Sequence, residues 1–223
     1  MGFQLTLGLK LNAKKTLKNF LGVENQPLIQ YLLDKIDRRE SAFTYISGRH
    51  SFGKSHVLQA SCHRLVYQGL QAGYLDLEHV DDLNILNGLD QLRLICFDNW
   101  SSKKITPDNQ IKILQFISQS LKQKHLVILG SAEPYQDDNF NGIQTPDVFV
   151  LNELKIDEIH DALEMKLEER GLCLPESIQK VIIDRAGLSV KSIEDILDIL
   201  ESSQDSEKKK ISTAHLKRLL ALS

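Results

Sequence analysis

The chain has 223 residues, 42% hydrophobic and 26% charged, with 27 Lys and Arg against 30 Asp and Glu for a net charge of −3. That length supports a sizeable core in one domain with at most a small appendage, and the charge balance gives no basic field to grip nucleic acid, which argues against direct sequence-specific binding to it. No apolar run approaches the roughly 20 residues that span a bilayer, the amino terminus lacks a signal-peptide layout, and the scattered Cys62, Cys96 and Cys173 read as reduced, buried thiols of a cytosolic protein with no membrane partner.

In chain order, Gln4-Leu5-Thr6-Leu7-Gly8-Leu9 alternates, so an extended backbone puts Leu5, Leu7 and Leu9 on one face. The pattern suits either a first strand or a peptide that enters an apolar pocket on a partner, with Gln4 hydrogen-bonding at the rim. A β-run at 42–47 follows, then Gly48-Arg49-His50-Ser51-Phe52-Gly53-Lys54-Ser55, which fits the phosphate loop G-x-x-x-x-G-K-[ST] at every fixed position. A helical pattern over 57–65 completes the strand–loop–helix context in which that motif has meaning. Gly48 and Gly53 let the backbone turn so that the N–H groups of Arg49, His50, Ser51, Phe52 and the first helical residues, out to His56, face phosphate oxygens. Lys54 reaches the outer phosphates and the Ser55 hydroxyl holds Mg²⁺.

Further strands are expected at 73–77, 92–98, 126–131 and 147–151, with a helix over 107–124 opened by Thr106 and Pro107. Its stripe is Ile111, Leu114, Ile117, Ser118 and Leu121. Strands alternating with helices argue for a parallel sheet covered on both faces. Leu94-Ile95-Cys96-Phe97-Asp98 is an apolar strand ending in an acid, the layout that places Asp98 near the Mg²⁺ of a bound nucleotide. Asn99 follows, and an amide cannot take a proton from water as a second carboxylate would. Ser131 ends its own strand, where a hydroxyl can position a phosphate.

From Asn152 onward strand signals vanish and the domain boundary is expected there. Ile156, Ile159, Leu163 and Leu167 repeat at helical spacing before Gly171. Pro175 opens a second helix carrying Ile178, Val181, Ile182 and Arg185, stopped by Gly187. Ser189 or Ser192 caps a third with Ile193, Ile196, Leu197 and Leu200 inward. Residues 202–210 read as a solvated turn, Lys208-Lys209-Lys210 being a soluble loop beside Asp205 and Glu207, and Ser212 caps a last helix.

In this order the motifs resemble the DnaA branch of AAA+ proteins over nearly the whole chain, and within it the Hda-type regulators that inactivate DnaA. Asn19-Phe20-Leu21-Gly22-Val23-Glu24-Asn25 is similar to the F-x-x-G-x-N segment, which implies that Phe20, Gly22 and Asn25 wall an adenine pocket. Asp98-Asn99 is like the regulators, whereas DnaA carries two acids. Gly130-Ser131-Ala132-Glu133-Pro134 and Glu169-Arg170-Gly171-Leu172-Cys173-Leu174-Pro175-Glu176 also resemble family junctions, and Lys191 falls where the family has a lid arginine touching the phosphates. Gln4-Leu9 is similar to the regulators' element for the DNA polymerase sliding clamp (its β subunit), Gly8 standing for their proline.

The resemblance implies an AAA+ five-stranded parallel sheet with helices on both faces at 11–151, preceded by a clamp-binding segment at 1–10 and followed by a small all-α lid domain at 152–223. It implies ADP or ATP with Mg²⁺ as ligand, the DnaA initiator and the clamp as partners, negative regulation of replication initiation in the bacterial cytoplasm, and little or no ATPase activity of its own. Self-association into a homo-oligomer is left open. The alternative is an autonomous AAA+ ATPase, a remodeller of the helicase-loader kind. Two features bear on the choice. Residues 153–223 hold 11 Lys and Arg against 15 Asp and Glu, and the chain leaves no room for DnaA's terminal DNA-binding domain. Where the regulators carry a basic motif with an arginine for DnaA-bound ATP, this chain has no Lys or Arg from Val127 through Glu153.

Overall fold

A computed structural model describes residues 15–80, 82–101, 103–140 and 142–207. The chain divides into two compact units, with the boundary between Asn152 and Glu153.

The first unit is a five-stranded sheet made of β1 (Ala42–Ser47), β2 (Ala72–Asp76), β3 (Leu94–Asp98), β4 (Leu126–Ser131) and β5 (Asp147–Val150), in spatial order β2-β3-β4-β1-β5. Every pairing is parallel. Helix α2 (Lys54–Tyr67) makes the crossover from β1 to β2 and α3 (Pro107–Lys122) that from β3 to β4, while α1 (Gln26–Asp37) precedes β1 and covers the sheet on the same face as α2.

Period-two alternation decides which residue meets which layer. Ala42 and Ile46 of β1, Leu94 and Cys96 of β3, and Leu126 and Ile128 of β4 join the core formed with Leu32 and Ile36 of α1 and Val57, Leu58 and Leu65 of α2. The intervening Phe43, Tyr45, Ile95, Phe97, Val127 and Leu129 join the opposite core with Ile113 and Ile117 of α3. Strands apolar on both faces are what a doubly covered parallel sheet requires. The five strands expected from the sequence are all present.

At the amino-terminal rim of the sheet, the Arg93 guanidinium donates to the carbonyls of Arg39 and Lys124, residues with φ of 57° and 62° within the loops that follow α1 and α3. One side chain thus ties together the helical layers on the two faces.

The second unit contains α4 (Ile156–Arg170), α5 (Glu176–Ala186) and α6 (Val190–Glu207). Ile159, Leu163 and Leu167 pack with Ile178, Ile182, Ile193, Leu197 and Leu200 in the buried interior. Between α4 and α6, Lys166 pairs with Glu194, and Arg170 with Asp198 and Glu201. Gly171 and Gly187 end α4 and α5, and the Ser189 hydroxyl accepts the N–H of Ser192 at the start of α6.

Four expectations are corrected. Ile111 of α3 and Ile156 of α4 are 53% and 56% exposed; on α3, Ile117 is buried as expected and Leu114 and Leu121 pack against the core, with Ile113 and Ser120 added to the buried face. On α5, Arg185 is exposed while Ile183 and Ala186 are buried. The turn expected to begin at residue 202 is helical through Glu207, because polar residues without Gly or Pro extend a helix that has one face in solvent. Cys62 and Cys96 are buried, with their sulfurs 3.6 Å apart, but Cys173 is exposed. Lys208–Lys210, the helix expected after Ser212 and the segment Gln4–Leu9 lie outside the described residues. Among the described residues no helix is long and apolar enough to cross a membrane.

Candidate nucleotide site

The loop between β1 and α2 leaves the carboxyl end of β1, which lies between β4 and β5 in the sheet. The Gly48 N–H bonds the Ser131 carbonyl at 3.2 Å, so the loop starts tied to the end of β4. Ser51 has φ 68° and Gly53 φ 93°; left-handed residues interleaved in a short loop turn successive N–H groups into a concavity that accepts anions. Gly53 is required on two counts. Its φ strains any side chain, and a Cβ there would meet the Phe20 ring at 2.6 Å. Phe20 is itself buried and stands edge-on to His56, with centroids 5.3 Å apart. His56 Nε2 lies 2.9 Å from the Thr16 carbonyl and 3.1 Å from Asn19 Oδ1, which anchors the segment before α1 to the first turn of α2. Asn25 fixes its other end: its amide donates to the Asn152 carbonyl at 3.1 Å and accepts the Asn152 N–H at 2.9 Å. Phe20 thus borders the phosphate loop, Asn25 is tied to the residue that follows Leu151, and Gly22 lies between them in the chain.

Lys54 is 7% exposed. Its ammonium donates to the carbonyls of Gly48 and Arg49 at 2.7 and 2.8 Å. Burial pushes its pKa down, and the nearby Asp98 charge partly offsets this. A buried ammonium held by neutral carbonyls is poorly compensated, and phosphate oxygens would supply the missing countercharge. The cradle therefore fits a nucleotide's phosphates, with Gly48, Gly53 and Lys54 holding them at the amino end of α2. Arg49 and His50 are exposed, Phe52 and Ser55 half-buried.

Asp98 is fully buried at the end of β3. Its Oδ2 accepts the Tyr74 hydroxyl at 2.6 Å and its Oδ1 the Asn99 N–H at 2.9 Å. Burial, reinforced by the Asp98 charge, holds the Tyr74 phenol far above its ordinary range, so Tyr74 remains a donor at any working pH. With each oxygen already engaged, Asp98 suits an outer-sphere role toward a nucleotide-borne Mg²⁺, through water. Among the described residues no group of three His, Cys, Asp or Glu forms a metal site of its own. Any Mg²⁺ would arrive with the nucleotide and meet Ser55 and Asp98.

Asn99 has φ 58°, and its side chain donates to Asp76 Oδ1 at 2.7 Å. Ser131 is fully buried, its hydroxyl accepting the Glu133 N–H at 3.0 Å and hydrogen-bonded to the Tyr45 phenol, which itself donates to the Glu133 carbonyl. Lys191 is an exposed residue in the first turn of α6, in the helical unit. Sequence reasoning missed Tyr74 and Asp76. A signal for Asp76 existed: β2 ends on an acid as β3 does, and Asp76 pairs with Asp98 in register.

The sequence matches no protein-family model. Among solved structures, domain III of the Thermotoga maritima replication initiation protein DnaA superposes with a TM-score of 0.81 at 16% identity, covering 96% of this chain and 98% of that one. This is the AAA+ fold. AMPPCP-bound DnaA from Aquifex aeolicus gives 0.67 at 19% identity over 86% of this chain and 66% of that one, and the Thermotoga maritima RuvB Holliday junction branch migration motor 0.70 at 12% over 93% and 72%. The AAA+ sheet order places the phosphate loop, Asp98 and Ser131 at the ends of three adjacent strands, β1, β3 and β4.

Proposed function

We propose that this protein is a regulatory AAA+ module that retains an adenine nucleotide and, in the manner of Hda, promotes inactivation of ATP-bound DnaA from the replication sliding clamp. The observation that carries the reading is the pairing of a complete phosphate cradle with an amide, Asn99, beside Asp98 and bonded away to Asp76. A site so built captures phosphates and lacks an adjacent base for water. The adenine preference is supported by the resemblance of the Phe20–Asn25 segment and by the AMPPCP held by a DnaA of the same fold. ADP or ATP with Mg²⁺ is the ligand we assign, and Lys191 is the lid contact implied by the resemblance.

Clamp docking rests on Gln4, Leu5, Leu7 and Leu9, and the DnaA partnership on the motif order. Turnover of DnaA-bound ATP on clamp-loaded DNA, with and without this protein, tests partner and direction together. Acceleration is expected; an unchanged rate removes the regulatory reading. Deleting residues 1–9 should abolish clamp capture while leaving ADP affinity intact.

The likeness to a branch-migration motor favours one second reading, an autonomous ATPase. Sustained turnover by the purified chain above about 1 per minute, already far below ordinary enzymes, would favour it.

A further inference from the structure

The backbone at position 99 is left-handed, φ 58°, where Asn and Asp are the best-tolerated side chains after Gly. Conformation therefore admits either an amide or a carboxylate there, and something else chooses between them. Asp76, at the end of the neighbouring strand, makes that choice by hydrogen bonding. Its carboxylate is 11% exposed. Oδ1 accepts from Asn99 Nδ2 at 2.7 Å and from the Glu78 N–H at 3.0 Å, and Oδ2 faces His79 Nδ1 at 3.0 Å. An ionised carboxylate only accepts, so position 99 must present a donor to it. A second carboxylate at that separation would set two like charges against each other, and the pair would persist only by taking up a shared proton, which leaves neither acid free to act as a base.

We propose that Asp76 is a positioning residue that selects an amide at position 99 and so keeps the acid needed for hydrolysis one strand away from its place beside Asp98. This rests on the nucleotide-holding reading above and deepens it: retention without cleavage is enforced by a partner across the strand pair, so that restoring an acid at 99 alone is insufficient. The two side chains are then exchangeable only together.

The test is a reciprocal exchange comparing wild type, Asn99→Asp, Asp76→Asn and the double variant. In the double variant the partner amide donates to one oxygen of the carboxylate at 99, which stays ionised and keeps its second oxygen to accept a proton. A water oxygen attacks the γ-phosphorus of ATP and its proton passes to that carboxylate. The bond from the γ-phosphorus to the bridging oxygen breaks, and ADP departs with the electron pair, leaving inorganic phosphate.

Each single variant is expected to unfold about 2–4 °C below wild type, with most of the loss recovered in the double variant. ATP turnover by the double variant is expected to exceed that of wild type and of Asn99→Asp by at least about tenfold, a modest share of what a positioned base supplies. Additive stability losses without recovery would overturn the proposal, as would Asn99→Asp alone matching the double variant's rate. Recovered stability with no gain in turnover, in a double variant that still binds ATP by calorimetry, would reduce the pair to a structural contact and overturn it equally. Wild type failing to bind ADP or ATP would instead sink the nucleotide reading, while the unfolding cycle still decides whether the two side chains are coupled.

Discussion

The ends of β1 and β3 lie at the same edge of the sheet and are built on opposite principles. At the end of β1 the strongest donor, Lys54, is held only by carbonyls of its own loop, bonds that an incoming anion can replace. At the end of β3 the polar atoms are committed to side chains of the adjacent strand, Asp98 to Tyr74 and Asn99 to Asp76. One strand end keeps its hydrogen-bonding capacity exchangeable and the other has fixed it. On the proposed reading, capture and cleavage would be separable properties of this edge.

Substitutions that break this contrast differ in size. The largest effect is expected from Lys54→Ala, which removes the buried ammonium; ADP affinity by calorimetry should fall by about 100-fold or more, a loss in line with charge-assisted phosphate contacts. Unchanged affinity would remove Lys54 from the site. Gly53→Ala comes next, since it combines a left-handed strain of about 1–2 kcal/mol with a clash against Phe20. A lowered thermal midpoint together with weakened ADP binding is the expected pair of readouts.

Tyr74→Phe tests the committed end. It strips a buried carboxylate oxygen of its donor and should cost about 1–3 kcal/mol in denaturant unfolding. ADP affinity should change less than in Gly53→Ala, since Tyr74 belongs to the other strand end.

The smallest effect is pH-dependent and sharpens the role of Lys54. Burial lowers its pKa in the free protein, and phosphates would raise it again, so nucleotide binding is linked to proton uptake at alkaline pH. Affinity should be full below the lowered pKa of the free protein and decline as pH rises through it. Calorimetry at about pH 7 and at a pH near the ordinary lysine value should show a loss that Lys54→Ala does not share.

The sheet was legible because its strands are short apolar runs, and the phosphate loop because its fixed positions are spaced by backbone geometry. Misreadings arose where pattern and environment part company. Ile111 and Ile156 match the helical period yet are exposed, because the period does not say which of two overlapping stripes a helix turns inward. Residues 202–207 are polar enough to read as a turn, yet nothing among them stops a helix. The partners of Asp98 and Asn99 were hidden for another reason. Tyr74 and Asp76 are more than twenty residues upstream and acquire meaning only once β2 and β3 align in register.

Arg93 gives the architecture a division of labour. By bridging the loops that follow α1 and α3, it cements the three layers at the rim remote from the phosphate loop. A lysine there could not span both carbonyls with a rigid planar fork. The scaffold is in effect clamped at its base like a vice, by one side chain that takes no part in the opposite lip where the phosphate loop lies.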